Sequence, residues 1–282
     1  MPSQGDATLL DRSNISCDHT MPASGQHPTR RSSAVTEELR ARSRQQAAVA
    51  ALGNEALAGA DEDVLLQDAT RHVADTLRVE FSAVLELLPG GAALLLRAGV
   101  GWPAGLVGRA TLGAGRESHA GYAIETNRPV VISDLRSETR FRPPQLLRER
   151  GVLSGLSVVI LGDGTPFGVL GAYTRTKRRF TDDHVQFLQA VANVIALARR
   201  RRREERTREE RAVILGRLTR REQQVLRLLA AGLSNRQIGE RIGIRYTTVR
   251  GYVRAVIEKL GAHSELEAVA RAHELGLADN GP

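Results

Sequence analysis

Leu218-Thr219-Arg220-Arg221-Glu222, followed further on by Gly232-Leu233-Ser234-Asn235-Arg236-Gln237-Ile238, decides how the C-terminal part of this chain is read. A Thr with a Glu three residues later is a capping box, in which each side chain takes an amide that a helix start leaves free. Behind Thr219, the residues Val225, Leu226, Leu228 and Leu229 make an apolar face, and Gly232 supplies a left-handed stop. Ser234 and Gln237 repeat the box for a second helix, which carries Ile238 and Ile242 and stops at Gly243. The spacing predicts a third helix from about Thr247 to Leu260, with Val249, Val253, Val256, Ile257 and Leu260 inward and Gly261 at its end. Ser264-Glu265-Leu266-Glu267 opens a fourth by the same device, and Gly276 closes it. Each cap contributes about 1 kcal/mol. Boxes alternating with glycine stops predict an all-α unit of four short helices.

The third helix leaves Thr247, Thr248, Arg250, Gly251, Arg254 and Lys259 on its solvent side, with no acid before Glu258. A helix that enters the major groove needs this set: Arg and Lys for guanine edges and phosphates, Thr for phosphates, and a slim profile. Gly251 inside a helix costs about 1 kcal/mol relative to Ala, so it is either a tolerated accident or a place where a missing side chain lets the helix approach the bases. The arrangement predicts a DNA-binding helix-turn-helix; an ordinary solvated helix face is the plainer alternative.

These residues carry a family resemblance. Leu218-Thr219-Arg220-Arg221-Glu222, the Gly232–Ile238 run, Thr248-Val249-Arg250 and Lys259-Leu260-Gly261 resemble the LuxR-type helix-turn-helix of bacterial transcription regulators. The resemblance implies base-reading positions at Arg250, Gly251 and Arg254, and positions near the phosphates for Asn235, Thr247, Thr248 and Lys259. It implies double-stranded DNA as a partner, a homodimer on a two-fold site, and RNA polymerase as a further partner of such a regulator. The chain departs from the family at Arg245, where a Ser usually caps the recognition helix, so that either Thr247 caps it instead or the helix start frays; and at Tyr252, which replaces the usual His.

The chain has 282 residues, enough for two domains with substantial cores. Its 40 Lys plus Arg against 32 Asp plus Glu give a formal charge of +8, which suits a polyanionic partner. Nucleic acid fits that charge better than a membrane, because neither an apolar span nor a basic amphipathic anchor is visible. Cys17 is the single cysteine, so neither a disulfide framework nor a cysteine metal cluster is expected. No signal-peptide pattern is visible, and a cytoplasmic location is expected. No phosphate loop, zinc spacing or nucleophile elbow is found. No catalytic residue, metal ligand or cofactor is therefore assigned, and the chain is not expected to be an enzyme.

Residues 1–33 are polar without periodicity and are expected to be a disordered leader. Residues 34–60 turn helical, with a thin stripe of Val49, Leu52 and Ala56 that is either a packing surface or a dimer seam. Residues 61–78 make a stronger helix through Val64, Leu65, Ala69, Val73 and Leu77. Strands are predicted at Phe81–Leu87 and Ala92–Ala98, about a Pro89-Gly90-Gly91 turn, then at Pro129–Ile132, Ser157–Leu161 and Phe167–Tyr173, the last two flanking Asp163-Gly164. Helices are expected near Glu117–Thr126 and Pro144–Arg150, and Thr181 caps a long one. On that helix Val185, Leu188, Ala192 and Ile195 line one face and Phe187, Val191 and Val194 a second, either for two neighbours or as one broad stripe. Antiparallel strands with helices set to the sides read as α+β.

The pieces Pro129-Val130-Val131-Ile132-Ser133-Asp134, Gly168-Val169-Leu170-Gly171-Ala172-Tyr173 and Phe180-Thr181-Asp182-Asp183 resemble a GAF domain over residues 61–198. The resemblance implies a sensory module for a small molecule that the sequence leaves unnamed. His119 and Tyr122, one turn apart, are candidate ligand contacts, although a lone His is more often an ordinary polar residue. Trp102, Arg136 and Phe141 are candidates in loops that cover the pocket in such folds. The lack of a cysteine in the module argues against an attached bilin and against cysteine-based sulfoxide reduction. Residues 199–216 form a charged linker in which Arg199–Arg211 holds eight Arg and four Glu. Pairs at Arg200/Glu204, Arg201/Glu205 and Arg206/Glu210 favour one continuous helix leading to the helix-turn-helix of residues 217–282.

The sequence therefore predicts a DNA-binding transcription regulator controlled by a sensor domain. The competing reading is a small-molecule-binding or enzymatic GAF module whose helical tail mediates protein contacts. RNA binding is weaker, since Tyr246 and Tyr252 are the only aromatics available for stacking in the C-terminal helices.

Overall fold

The computed structural model describes residues 30–278. Among these, residues 30–41 belong to a unit apart from the one that begins at Arg42. Most of the expected leader lies outside the described residues, but its last four, 30–33, are already helical. The first helix, α1 (Arg30–Leu57), thus starts earlier than its apolar stripe suggested. From Arg42 on, α1 buries Ala48 and Leu52 in the main core, with Val49 and Ala56 packed against it, so its stripe is a packing surface.

The second helix, α2 (Glu62–Leu77), is capped by the Asp61 carboxylate and turned off by Arg78 in the left-handed region (φ 52°). Six strands follow, interleaved with helices α3 (His119–Thr126) and α4 (Gln145–Glu149): β1 (Phe81–Leu87), β2 (Ala93–Val100), β3 (Thr111–Gly113), β4 (Val130–Ile132), β5 (Ser154–Ile160) and β6 (Gly168–Thr174). They form one antiparallel sheet in the order β3-β2-β1-β6-β5-β4. The α+β expectation is met. The short β3 lay outside the expected strands, and β5 begins three residues before the expected Ser157.

Period-two alternation sorts the strand residues between two cores. Val84, Ala98, Leu156, Val158, Ile160, Leu170 and Ala172 face α1, α2 and a long fifth helix, α5 (Asp182–Arg217). Phe81, Leu85, Leu94, Leu96, Val159, Val169 and Tyr173 face α3, α4 and the loops beside them. On α5, Phe187, Leu188, Val191, Ala192 and Ile195 all enter the first core, so its two apolar faces are one broad stripe.

The C-terminal region is all-α: α6 (Arg220–Ala230), α7 (Asn235–Ile242), α8 (Tyr246–Lys259) and α9 (Glu265–Glu274). The Thr219/Glu222 and Ser234/Gln237 boxes are both closed reciprocally. At α9 the Ser264 hydroxyl takes the Glu267 amide, but the Glu267 carboxylate reaches back to the amide of His263, one residue short of a closed box. Gly232, Gly243, Gly261 and Gly276 all have positive φ at the helix ends.

The expected linker is the second half of α5, which runs unbroken for 36 residues, about 54 Å at 1.5 Å per residue. Arg199 pairs with Glu62 and lies 3.5 Å from the centre of the Phe167 ring. Arg202 donates to the carbonyls of Gly59 and Ala60 in the turn between α1 and α2. Arg203 meets Asp163 in the β5–β6 hairpin at 3.1 Å. Arg200–Glu204 and Arg201–Glu205 pair as expected, at 3.0 and 2.7 Å. Glu210 instead pairs with Arg271 of α9 at 2.6 Å rather than with Arg206. The last turn of α5 and the residue beyond it enter the next domain, where Ile214 and Leu218 are buried with Leu226, Val256, Leu260 and Ala272.

Candidate nucleic-acid interface and sensor site

Helices α7 and α8 meet at a tight turn. Gly239 is buried there, and a Cβ on it would stand 2.8 Å from the Ile244 carbonyl oxygen, so glycine is what lets the helices close up. Val249 and Val253 sink into a core with Val225, Leu229 and Ile238, with Tyr252 packed against it. That burial fixes which side of α8 stays outside: Thr247, Thr248, Arg250, Gly251 and Arg254 are all exposed. A Cβ on Gly251 would meet nothing within 4 Å, so nothing inside the chain demands glycine at this position. Asn235, the first residue of α7, is half-buried, with its Oδ1 buried and without a hydrogen-bond partner.

Two expectations are corrected here. The cap of α8 is Arg245, in extended backbone and with no side-chain cap hydrogen bond, and Thr247 lies inside the helix. Lys259 is not a free cation on the basic face. Its Nζ lies 2.7 and 2.8 Å from the two carboxylate oxygens of Glu222. The reason is Glu222 itself, buried as the third residue of α6, where it also accepts from the Thr219 amide at 2.7 Å. Burial works to raise its pKa, but Lys259 and the Thr219 contacts outweigh that and hold it below the usual value. A buried carboxylate needs such partners, and the end of α8 supplies the cation.

On the other face of the sheet, His119, the first residue of α3 behind the Ser118 cap, is fully buried. Its Nε2 lies 2.7 Å from the Tyr173 hydroxyl, which lies 3.2 Å from the Ser157 hydroxyl. Its Nδ1 is buried and unpartnered. Burial alone pushes its pKa down to about 4, and burial raises Tyr173 to about 12 against the opposing Ser157 hydrogen bond. The Tyr173 ring lies over Gly155 and Gly171, and a Cβ on Gly155 would sit 2.6 Å from it. Trp102 stands edge-on to Tyr173 at 6.3 Å and donates to the Ser82 carbonyl. Phe141 lies 6.2 Å from His119 and 5.8 Å from Tyr122. Four of the five candidates, Trp102, His119, Tyr122 and Phe141, thus converge. Arg136 does not: it is exposed and held by Asp134 at 2.8 Å. In its place Arg140 lies over the Tyr122 and Phe141 rings, at 5.9 and 5.5 Å.

Residues 61–198 match the GAF domain, and residues 216–272 match the luxR family of bacterial regulatory proteins. The chain joins a GAF domain to a luxR-family helix-turn-helix domain. The luxR-family part is 39% identical over 59 residues to the transcriptional regulatory protein DesR of Bacillus subtilis, covering 21% of this chain and 30% of that protein. It is 43% identical over 60 residues to the HTH-type transcriptional activator RamA of Corynebacterium glutamicum, covering 21% of each. The chain thus spans less than a third of the length of either relative. The GAF domain is similar in fold to the GAF domain from a phosphoenolpyruvate-protein phosphotransferase of Coxiella burnetii, with a TM-score of 0.53 and 17% identity over 58% of this chain and 97% of that one.

In the GAF domain the residues that sequence reasoning missed are Tyr173, Ser157 and Arg140. Tyr173 carried a signal: in strand alternation it shares a face with Val169, beside the side-chain-free Gly171. In the luxR-family domain the missed residue is Glu222, whose capping role was legible and whose pairing with Lys259 was not. Among the described residues no helix is long and apolar enough to cross a membrane, and no group of three His, Cys, Asp or Glu could hold a metal ion.

Proposed function

We propose that this chain is a sequence-specific, DNA-binding transcription regulator in which the GAF domain receives a signal and α5 carries it to the helix-turn-helix. The observation that carries this reading is the exposed side of α8, where Arg250 and Arg254 flank Gly251 while Val249, Val253 and Val256 are held in the core. Arg250 and Arg254 are the base-reading residues, Thr247, Thr248 and Asn235 lie along the phosphates, and Gly251 brings the backbone close to the bases. Lys259 acts by holding Glu222 and α6 in place.

The protein works as a homodimer on a two-fold site; Leu266 on α9, 80% exposed, and Val213 and Leu197 on α5 are among the exposed apolar residues that a second copy could cover. The signal is a small molecule or a partner acting on the face lined by Trp102, His119, Tyr122 and Phe141, where the orphaned Nδ1 of His119 is the polar atom left to answer it.

Selection of random duplex DNA on the full chain tests the reading. A shared, two-fold sequence is expected, with binding that weakens as salt rises. Arg250→Ala should cost about 1 to 3 kcal/mol on that sequence and much less on random DNA. Equal losses on both would remove its base-reading role, and no enrichment at all would remove the function.

A further inference from the structure

The reading ridge of α8 runs one turn further toward its N-terminus than the basic residues do. Tyr246, Arg250 and Arg254 succeed one another at intervals of four, and side chains so spaced are neighbours on a helix surface. Tyr246 is the first residue of α8 and is 51% exposed. Its ring takes no part in the core that receives Val249, Val253 and Tyr252, and among the described residues it has neither a ring partner nor a hydrogen bond. A half-exposed aromatic ring keeps apolar surface in water, which a surface contact would remove. Arg245 in front of it stands at the cap position without a side-chain cap hydrogen bond.

A recognition helix meets base edges chiefly with its N-terminal residues. The apolar feature on those edges in the major groove is the C5-methyl of thymine. Resting on the DNA-binding reading above, we infer that Tyr246 is a specificity-determining residue, whose ring packs on a thymine methyl beside the bases read by Arg250. The ring makes the contact; the hydroxyl is not needed.

The test uses the full chain with Tyr246→Phe and Tyr246→Ala, both at an exposed position. Each protein is put through selection on random duplexes, then through binding to the selected duplex with deoxyuridine replacing thymine at the position concerned. The natural and Phe proteins should prefer thymine there and lose about fourfold in affinity with uracil, as burial of one methyl group predicts. The Ala protein should accept other bases and be indifferent to the missing methyl. Unchanged thymine preference in the Ala protein overturns the assignment. So does a uniform loss on all sequences in the Phe protein, which would mark a hydroxyl–phosphate contact. A natural protein that selects no sequence overturns the regulator reading and this assignment together; a selected sequence indifferent to Tyr246 overturns this assignment alone.

Discussion

His119 is a neutral imidazole enclosed on every side, with one nitrogen tied to Tyr173 and the other tied to nothing. Its pKa is about 4 in the folded chain and about 6.5 when exposed. Because the folded value is depressed, the unfolded chain binds a proton that the folded one refuses. Stability is therefore complete above pH 6.5 and is lost as pH falls toward 4, by up to about 3 kcal/mol. His184 adds in the same direction: its Nδ1 accepts from the Thr181 amide at 3.0 Å, and burial holds its pKa down. Urea midpoints at pH 7.5 and 5 for the natural chain and for His119→Gln separate the two. The natural chain should lose more stability on acidification than the variant, and equal losses would clear His119 of the effect.

Helices show where local sequence suffices. The boxes at Thr219 and Ser234 were legible because a cap is made by residues three apart. The anchoring of α5 was not. Arg201 and Arg202 reach carbonyls more than a hundred residues back in the chain, and Glu210 chooses Arg271 over the nearer Arg206. The pairing of Lys259 was hidden for the same reason, since its partner lies 37 residues away. The strand β3 escaped because Thr111-Leu112-Gly113 is too short to show alternation. With Arg203 fixed to the hairpin and Glu210 to α9, only residues 204–209 of α5 stand between the anchors of the two domains. A helix-forming insertion of five residues there turns one domain against the other by about 140°, and one of seven by about 20°. Affinity for the selected two-fold sequence should survive seven residues and fail with five. Equal behaviour would mean that the helix is a spacer and transmits no angle.

At the scale of the whole molecule, the formal charge of +8 favours any nucleic acid and confers no sequence preference; selectivity rests on the residues that α8 presents and, in the proposed dimer, on how two such helices are presented together. Rigid presentation predicts an intolerance of altered spacing. Moving the half-sites apart by about five base pairs, half a helical turn, should abolish cooperative binding by the proposed dimer. Electrophoretic mobility of the native and respaced duplexes reads this directly, and undiminished binding would show that the domains reorient freely. The burial of Ile214 and Leu218 beneath α6, α8 and α9 carries a last consequence. The DNA-binding domain is not severable at its own first cap: a chain cut at Thr219 would carry an open hollow where those two side chains belong. Whatever moves α5 moves part of the domain's own interior, because the end of that helix and the helix-turn-helix core share the same few atoms.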